Sequence, residues 1–193
     1  METSNTDPTP PPPSLLKAAV DLWDQARGQH LIPVTGRSMQ PFIQDGDRVL
    51  VAHGIAGVRR GDVVVFRREG RLIAHRVLRI YHRQPGRVFI TKGDGIRRFD
   101  PPVHAGEVLG RVLTVERDGQ QLSLDTFSWR AAGWLIAVGT LSWTTFYGWS
   151  RDIKRRLVGS RPSRLTVTLN RGATACSSLA LKIVQAALCR WEA

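Results

Sequence analysis

The stretch VTGRSMQPFIQDGDRVLV, residues 34–51, contains a serine that could act as a nucleophile. A serine hydroxyl is a weak nucleophile at neutral pH, so it needs a rigid mount and a neighbouring base. Gly36 frees the backbone just before Ser38, and Pro41 restricts it just after. The segment therefore predicts a turn that presents the Ser38 hydroxyl and nearby backbone N–H groups. Most serines in turns only cap hydrogen bonds, so a base must be found elsewhere.

A histidine within an apolar strand is the candidate base. In RLIAHRVLRI, residues 71–80, strand alternation places His75 on the same face as Ile73 and Val77. Apolar neighbours disfavour the charged imidazolium and keep the ring available as a base near neutral pH. The other histidines lie near strand ends or turns and indicate ordinary structural roles: His30, His53, His82 and His104.

A carboxylate could complete the set by holding the imidazole in one tautomer and offsetting its transient charge. The segment TKGDGIRRFD, residues 91–100, offers Asp94 and Asp100. Asp94 lies between two glycines and could instead only cap that turn. Lys92 is an alternative base, because a desolvated lysine can replace histidine beside a serine.

These residues must be positioned by a β-rich region that begins near residue 31. Strands are predicted at LIPVT, DRVLVAH, DVVVFRR, RLIAHRVLRI, RVFITK, EVLGRVLTVER and QLSL. The connections REG (68–70) and RDGQ (117–120) are typical of hairpins. Because no helical pattern separates the strands, the sequence predicts a mainly β fold with a coiled antiparallel β domain over residues 31–125.

The composition describes a basic globular chain. The protein has 193 residues, 42% of them hydrophobic, which is enough for one compact domain with extra segments. Its formal net charge is +12, which favours an anionic partner such as phospholipid head groups or nucleic acid. The two cysteines, Cys176 and Cys189, do not have the spacing of a zinc site, so no metal, cofactor or disulfide framework is expected.

The segments outside the β domain are predicted to be helical or disordered. Residues 1–13 are polar and proline-rich and are expected to form a disordered tail rather than a secretory signal. Residues 14–30 are expected to hold a short amphipathic helix, with Leu15 and Leu22 on one face. Residues 151–193 are read as a basic linker followed by a C-terminal helix.

Residues 126–150 are predicted to form an apolar helix and a possible membrane segment. Residues 131–150 carry no charge, and 20 residues match the length that a helix needs to cross a bilayer. Five hydroxyl residues and three glycines make this run only mildly apolar. Its tryptophans and the basic residues behind it favour a helix on, or shallowly crossing, an anionic membrane. If the helix packs on its own sheet instead, a cytoplasmic location is expected.

Together, GRSMQP, DGDRVLV, RRGDVVVF, IAHRVLRI, FITKGDGIRRFD and EVLGRV resemble the signal peptidase I superfamily of serine peptidases. The similarity is to its endoplasmic-reticulum and archaeal branch, in which the base is histidine. The resemblance implies a coiled β fold, Ser38 as nucleophile, His75 as general base and Asp100 as its orienting acid, with Asp94 supporting the site. It also implies a peptide or preprotein substrate that is cut at a signal or leader peptide.

Two departures from this family pattern affect the prediction. Most signal peptidases have an apolar anchor before the nucleophile, whereas residues 1–33 contain none, so any anchor is expected within residues 131–150. The Gly-x-Ser-Met spacing is also similar to the related self-cleaving repressors of the SOS response. Their DNA-binding helix-turn-helix and cleavage site are not found upstream of Ser38, so self-cleavage is not expected.

Two alternative functions remain open at this stage. The first is a soluble or membrane-surface peptidase that trims cytosolic leader peptides. The second is a non-enzymatic basic β module that binds nucleic acid through its arginines. That module would bind without specificity, because the sequence shows charge but neither a stacking motif nor a recognition helix.

Overall fold

The fold is described by a computed structural model over residues 28–157, with side chains described to residue 142. The predicted tail, the predicted helix up to residue 27, the predicted C-terminal helix and both cysteines lie outside the described residues. The backbone separates into two units, residues 1–137 and 138–193. The β domain and the candidate site belong to the first unit.

Eight strands and one long helix make up the described chain. The strands are β1 (Gln29–Pro33), β2 (Arg48–His53), β3 (Val63–Arg68), β4 (Arg71–Arg83), β5 (Gly86–Lys92), β6 (Val103–His104), β7 (Val108–Arg117) and β8 (Gln120–Ser123). A short 3-10 turn, Ala105–Glu107, follows β6, and helix α1 spans Phe127–Leu157. The prediction of a mainly β fold is confirmed.

All strand pairs are antiparallel, in the order β1-β2-β7-β3-β4-β5-β6, with β8 paired to β7. The predicted hairpins join β3 to β4 and β7 to β8. Glu69 and Asp118 have positive φ values of 51° and 50°, each followed by a glycine with positive φ. Two successive positive φ values characterise the turns that match the twist of a two-residue hairpin.

The observed strands differ from the predicted ones mainly at their ends. Gln29 and His30 belong to β1, although the sequence had assigned them to the preceding helix. Strand β6 was not predicted, because two residues are too few for an alternating pattern to be recognised. Helix α1 begins at Phe127, one residue after the predicted start, and continues to Leu157, seven residues past the predicted end at residue 150.

Apolar side chains cover both faces of the sheet. Strand β3 has four consecutive buried residues, so both of its faces are covered. Val64 and Phe66 belong to one cluster, which also contains Val58, Val77, Phe89, Val103 and Val108. On the opposite face, Val63 lines a small cavity of about 20 Å³ together with Ile136 and Gly133 of α1. The first turns of α1 therefore cover one face of the sheet.

Several arginines bind partners within the domain. Arg117 donates to both carboxylate oxygens of Asp47, at 2.7 and 2.8 Å. Arg87 donates to the carbonyl oxygens of Ile55 and Val58. These contacts satisfy guanidinium groups inside the fold, so the arginine content does not by itself indicate an external anion.

No helix among the described residues is both long enough and apolar enough to cross a membrane.

Candidate active site

The turn around Ser38 is anchored from both sides. Gly36 has a φ of +99°, a backbone conformation that favours glycine, and its N–H donates to Oδ1 of Asp45 at 2.8 Å. Met39 is only 2% exposed, so its side chain fastens the turn to the core. Ser38 itself is half-buried. We refer to residues 36–42 as the Ser38 turn.

His75 lies on strand β4 with its ring against the apolar cluster. Its side chain is 6% exposed, and the ring meets Phe66 in an edge-to-face contact with centroids 6.1 Å apart. Strand alternation places Val77 on the same face, and Val77 belongs to that cluster. The core packing limits the rotation of the imidazole, as a positioned base requires.

Asp100 is bonded to the imidazole. Oδ2 of Asp100 lies 2.7 Å from Nδ1 of His75 and accepts a second hydrogen bond from Oγ1 of Thr91, also at 2.7 Å. The Asp100 backbone N–H donates to the Thr91 carbonyl at 3.0 Å. Asp100 is therefore held to the end of β5 through both its main chain and its side chain.

The pKa of Asp100 lies below its ordinary value of 3.8. Burial acts to raise this pKa, but the hydrogen bonds from His75 and Thr91, together with the charges of His75 and Arg68, outweigh it. The carboxyl is therefore ionised at neutral pH and can only accept hydrogen bonds. In a neutral imidazole, Nδ1 then carries the hydrogen and Nε2 has the free lone pair.

The Ser38 turn and the imidazole meet at Gly93. A methyl group built on Gly93 would lie 2.5 Å from the carbonyl oxygen of Ser38 and 2.9 Å from Nε2 of His75. These two atoms are therefore at most 5.4 Å apart, the sum of the two distances. Nε2 is buried and makes no hydrogen bond to any described residue, so it is not bonded to the Ser38 hydroxyl in this structure.

Two glycines allow this close approach. The N–H of Gly95 donates to the Ser38 carbonyl at 2.8 Å. A Cβ on Gly95 would lie 2.9 Å from the carbonyl oxygen of Arg37 and 3.3 Å from that of Ser38. Neither Gly93 nor Gly95 was predicted as a site residue, although glycines on both sides of Asp94 are visible in the sequence. We refer to residues 93–100 as the Gly93 loop.

Asp94 binds Arg76 rather than His75. Nε of Arg76 donates to Oδ1 at 2.9 Å and Nη2 donates to Oδ2 at 2.6 Å, with both side chains only 7% exposed. The remaining nitrogen, Nη1, donates to the carbonyl of Gly61 at 2.7 Å. Asp94 therefore anchors the Gly93 loop to strand β4, whereas Asp100 contacts the imidazole.

Lys92 lies on the other face of the sheet from His75. It pairs with Arg76 across the β4–β5 ladder, and directly paired residues share a face, whereas His75 is the next residue along β4. Its Nζ donates to the Gly93 carbonyl at 3.1 Å. Burial lowers the pKa of Lys92, against the raising effect of Asp94 and Asp100.

The described residues contain no group of three or more acidic, histidine or cysteine side chains that could hold a metal ion.

Part of the chain is similar to a known family of peptidases. Residues 13–91 match the profile of the family described as Peptidase S24-like. This range contains Ser38 and His75 and ends before Asp94 and Asp100.

Curated relatives include the signal peptidase complex catalytic subunit SEC11 of two yeasts. The Candida dubliniensis protein is 36% identical over 66 residues, which is 33% of this chain and 40% of that protein. The Clavispora lusitaniae protein is 36% identical over 77 residues, which is 39% of this chain and 46% of that protein. The matches therefore span less than half the length of these relatives.

Proposed function

We propose that this chain is a serine endopeptidase of the signal peptidase I type that acts through Ser38, His75 and Asp100. The single observation that carries the proposal is the orientation of His75. Asp100 occupies Nδ1, and Nε2 points to the place where the Ser38 turn crosses Gly93. An imidazole held in this way has an Nε2 lone pair that can take a proton from a serine hydroxyl once the two groups are in contact.

The proposed reaction is acyl transfer. Nε2 of His75 takes the Ser38 proton while Oγ attacks the peptide carbonyl, and the ionised Asp100 stabilises the imidazolium. The imidazolium then gives this proton to the departing amine. Water, deprotonated by the same imidazole, hydrolyses the acyl-enzyme and restores the hydroxyl. Serine and histidine must come into hydrogen-bonding contact when substrate binds, as commonly happens in sites that are loose without substrate.

The proposed substrate is a signal or leader peptide cut after small side chains. Such cleavage sites carry a small-residue pattern of the A-x-A type. An extended peptide can add to a sheet edge through main-chain hydrogen bonds, while shallow pockets read alternate side chains. We therefore expect peptides with alanine before the cut to be cleaved faster than those with leucine or arginine.

The decisive experiment for this function compares the wild type with Ser38→Ala. The probe is the p-nitrophenyl ester of an alanine-ended peptide, which releases one nitrophenolate for each acyl-enzyme formed. We expect a burst from the wild type, an acyl group on Ser38 in the mass spectrum, and a loss of about a thousandfold or more in Ser38→Ala. Acylation at another residue, or an unchanged rate in Ser38→Ala, would exclude this assignment.

We also propose that an anionic membrane surface is a partner of this protein. Three exposed apolar side chains of α1 lie on one helix face: Phe127, Trp134 and Leu135. Trp134 and Leu135 follow Phe127 by seven and eight residues, which is about two helical turns. Phe127 is 89% exposed, Trp134 48% and Leu135 62%. An exposed apolar face together with a charge of +12 suits a helix that lies in a membrane interface.

Vesicle co-sedimentation tests the membrane partner. The full chain should pellet with phosphatidylserine-containing vesicles and less with phosphatidylcholine alone, and Phe127→Ser with Leu135→Ser should reduce the pelleted fraction. A protein that stays in the supernatant with both vesicles would fit the alternative of a soluble peptidase that trims leader peptides.

A further inference from the structure

We propose that helix α1 is a clamp that sets the position of the Ser38 turn against the Gly93 loop, with Trp129 and Gly133 as positioning residues. This inference rests on the proposed function, since it assigns these two residues to the alignment of Ser38 with His75. Neither residue is assigned a contact with the reacting atoms. Each acts through a different set of contacts within residues 28–137, the described part of the first unit.

The first set of contacts runs from Trp129 to the Ser38 turn. The Trp129 ring meets Phe42 edge-to-face, with centroids 6.1 Å apart and an interplanar angle of 85°. Phe42 ends the Ser38 turn and is 9% exposed. The Arg76 guanidinium lies 5.2 Å from the centroid of the Phe42 ring. Phe42 is therefore in contact with both the helix and the arginine that anchors the Gly93 loop.

The second set of contacts begins where α1 crosses the segment before β3. A Cβ on Gly133 would lie 2.6 Å from the Gly61 carbonyl oxygen and 3.0 Å from Nη1 of Arg76. A Cβ on Gly61 would lie 2.4 Å from the backbone nitrogen of Trp134. The two backbones touch, and neither position has room for a methyl group.

This crossing leads to the Gly93 loop through Arg76. The Gly61 carbonyl that faces Gly133 accepts a hydrogen bond from Nη1 of Arg76, and the other two nitrogens of the guanidinium donate to Asp94. Asp94 lies between the two glycines that contact the Ser38 carbonyl and the imidazole. A shift of α1 at Gly133 would therefore displace the Arg76 guanidinium, which holds Asp94 through its hydrogen bonds.

Both sets of contacts start on α1 and lead to the Ser38 turn, one through Phe42 and the other through Arg76 and the Gly93 loop. A cavity of about 20 Å³, room for about one water molecule, is lined by Phe42, Gly61, Arg76, Trp129 and Gly133. Packing this tight passes a displacement on rather than absorbing it. A misplacement of about 1 Å at a reacting group can cost about a hundredfold in rate.

The helix has an additional attachment that keeps it in place when one contact is removed. Arg130 lies 3.1 Å from Oδ1 of Asp125 and 3.8 Å from Oδ2 of Asp62. Ala137 is fully buried. We therefore expect variants at Trp129 to remain folded, so that their effect on the reaction can be measured.

The test uses the full chain and the alanine-ended peptidyl p-nitrophenyl ester. Trp129→Ala removes the contact with Phe42, and Trp129→Phe keeps an aromatic ring there. Gly133→Ala inserts a methyl group at the crossing, and Gly139→Ala is its matched control, because a Cβ on Gly139 meets nothing within 4 Å. Thermal unfolding is measured for each variant.

Trp129→Ala and Gly133→Ala should lower the acylation rate constant about tenfold or more, with KM within about twofold of the wild type. Trp129→Phe should recover most of the rate, and Gly139→Ala should not lose any. A clamp would be excluded if folded Trp129→Ala acylated at the wild-type rate, or if Trp129→Phe were as slow as Trp129→Ala. If Gly133→Ala does not fold, the Trp129 pair decides the question.

Failure of the clamp and failure of the proposed function give different results. If the wild type is not acylated at Ser38, the proposed function is excluded, and the clamp proposal is excluded with it. If the wild type is acylated at Ser38 and the folded Trp129→Ala variant is acylated at the same rate, the clamp proposal is excluded and the proposed function is retained.

Discussion

Nδ1 of His75 lies 2.7 Å from Oδ2 of Asp100, although the two residues are 25 positions apart in the chain. The contact joins the middle of strand β4 to a loop beyond the end of β5. It leaves Nε2 facing the Ser38 turn, so a single hydrogen bond determines which ring nitrogen is available as a base.

Asp100→Asn should reduce kcat by about a hundred- to ten-thousandfold. An amide cannot stabilise the imidazolium, and its NH2 group can hold the ring in the wrong tautomer. The measurement is the rate of peptide cleavage at saturating substrate. Asp118→Asn is the control, since it makes the same chemical change in the β7–β8 hairpin at a φ of 50°, which asparagine tolerates. Equal losses in both variants would contradict a specific role for Asp100.

The stability advantage of wild type over Asp100→Asn should depend on pH. Because the pKa of Asp100 is lowered in the folded protein, its ionised form stabilises the fold at pH values above the ordinary value of 3.8. This contribution is lost as the pH falls through the lower folded pKa. Urea unfolding of both proteins at pH 7 and in steps below pH 4 should show the difference narrowing with acid. A constant difference would mean that Asp100 is not coupled to His75 and Thr91 as observed.

Gly93→Ala should reduce activity by about a hundredfold or more. The added methyl group would lie 2.5 Å from the Ser38 carbonyl oxygen and 2.9 Å from Nε2 of His75, so the turn and the imidazole must move apart. Gly106→Ala is the matched control, because a Cβ there meets nothing within 4 Å. Peptide cleavage is measured alongside thermal unfolding. Full activity in a folded Gly93→Ala variant would show that this contact does not align the site.

Asp94→Ala should destabilise the fold by about 3–5 kcal/mol. It leaves the Arg76 guanidinium, whose side chain is only 7% exposed, without its ionic partner. Glu116→Ala provides the comparison, since it removes the partner of Arg48, which is 55% exposed, and should cost less than about 1 kcal/mol. The free energy of unfolding in urea measures both. If both variants lose less than about 1 kcal/mol, water must reach the Arg76 guanidinium and replace the hydrogen bonds of Asp94.

Lys92→Met should keep activity within about tenfold of the wild type, whereas His75→Ala should lose about a thousandfold or more. Lys92 lies on the face of the sheet opposite His75 and donates to the Gly93 carbonyl. The measurement is the acylation rate of Ser38. The reverse ranking would identify lysine as the base.

The sequence alone predicted seven of the eight strands and two of the three two-residue hairpins, because alternation and turn chemistry are local properties. It failed for β6, whose two residues are defined only by pairing with Val88 and Phe89. It also placed Ser38, His75 and two carboxylates as candidates, since their residue types and neighbouring glycines and prolines are visible in short segments.

Which carboxylate meets the imidazole was decided only in three dimensions. Asp94 and Asp100 are equivalent by residue type, and the ladder between β4 and β5 assigns one to Arg76 and the other to His75. The approach of the Ser38 turn to Gly93, and of Gly61 to Gly133, depends on segments more than 50 residues apart. Local propensity carries no information about such contacts, because they form only when the packed sheet and helix bring distant backbones together.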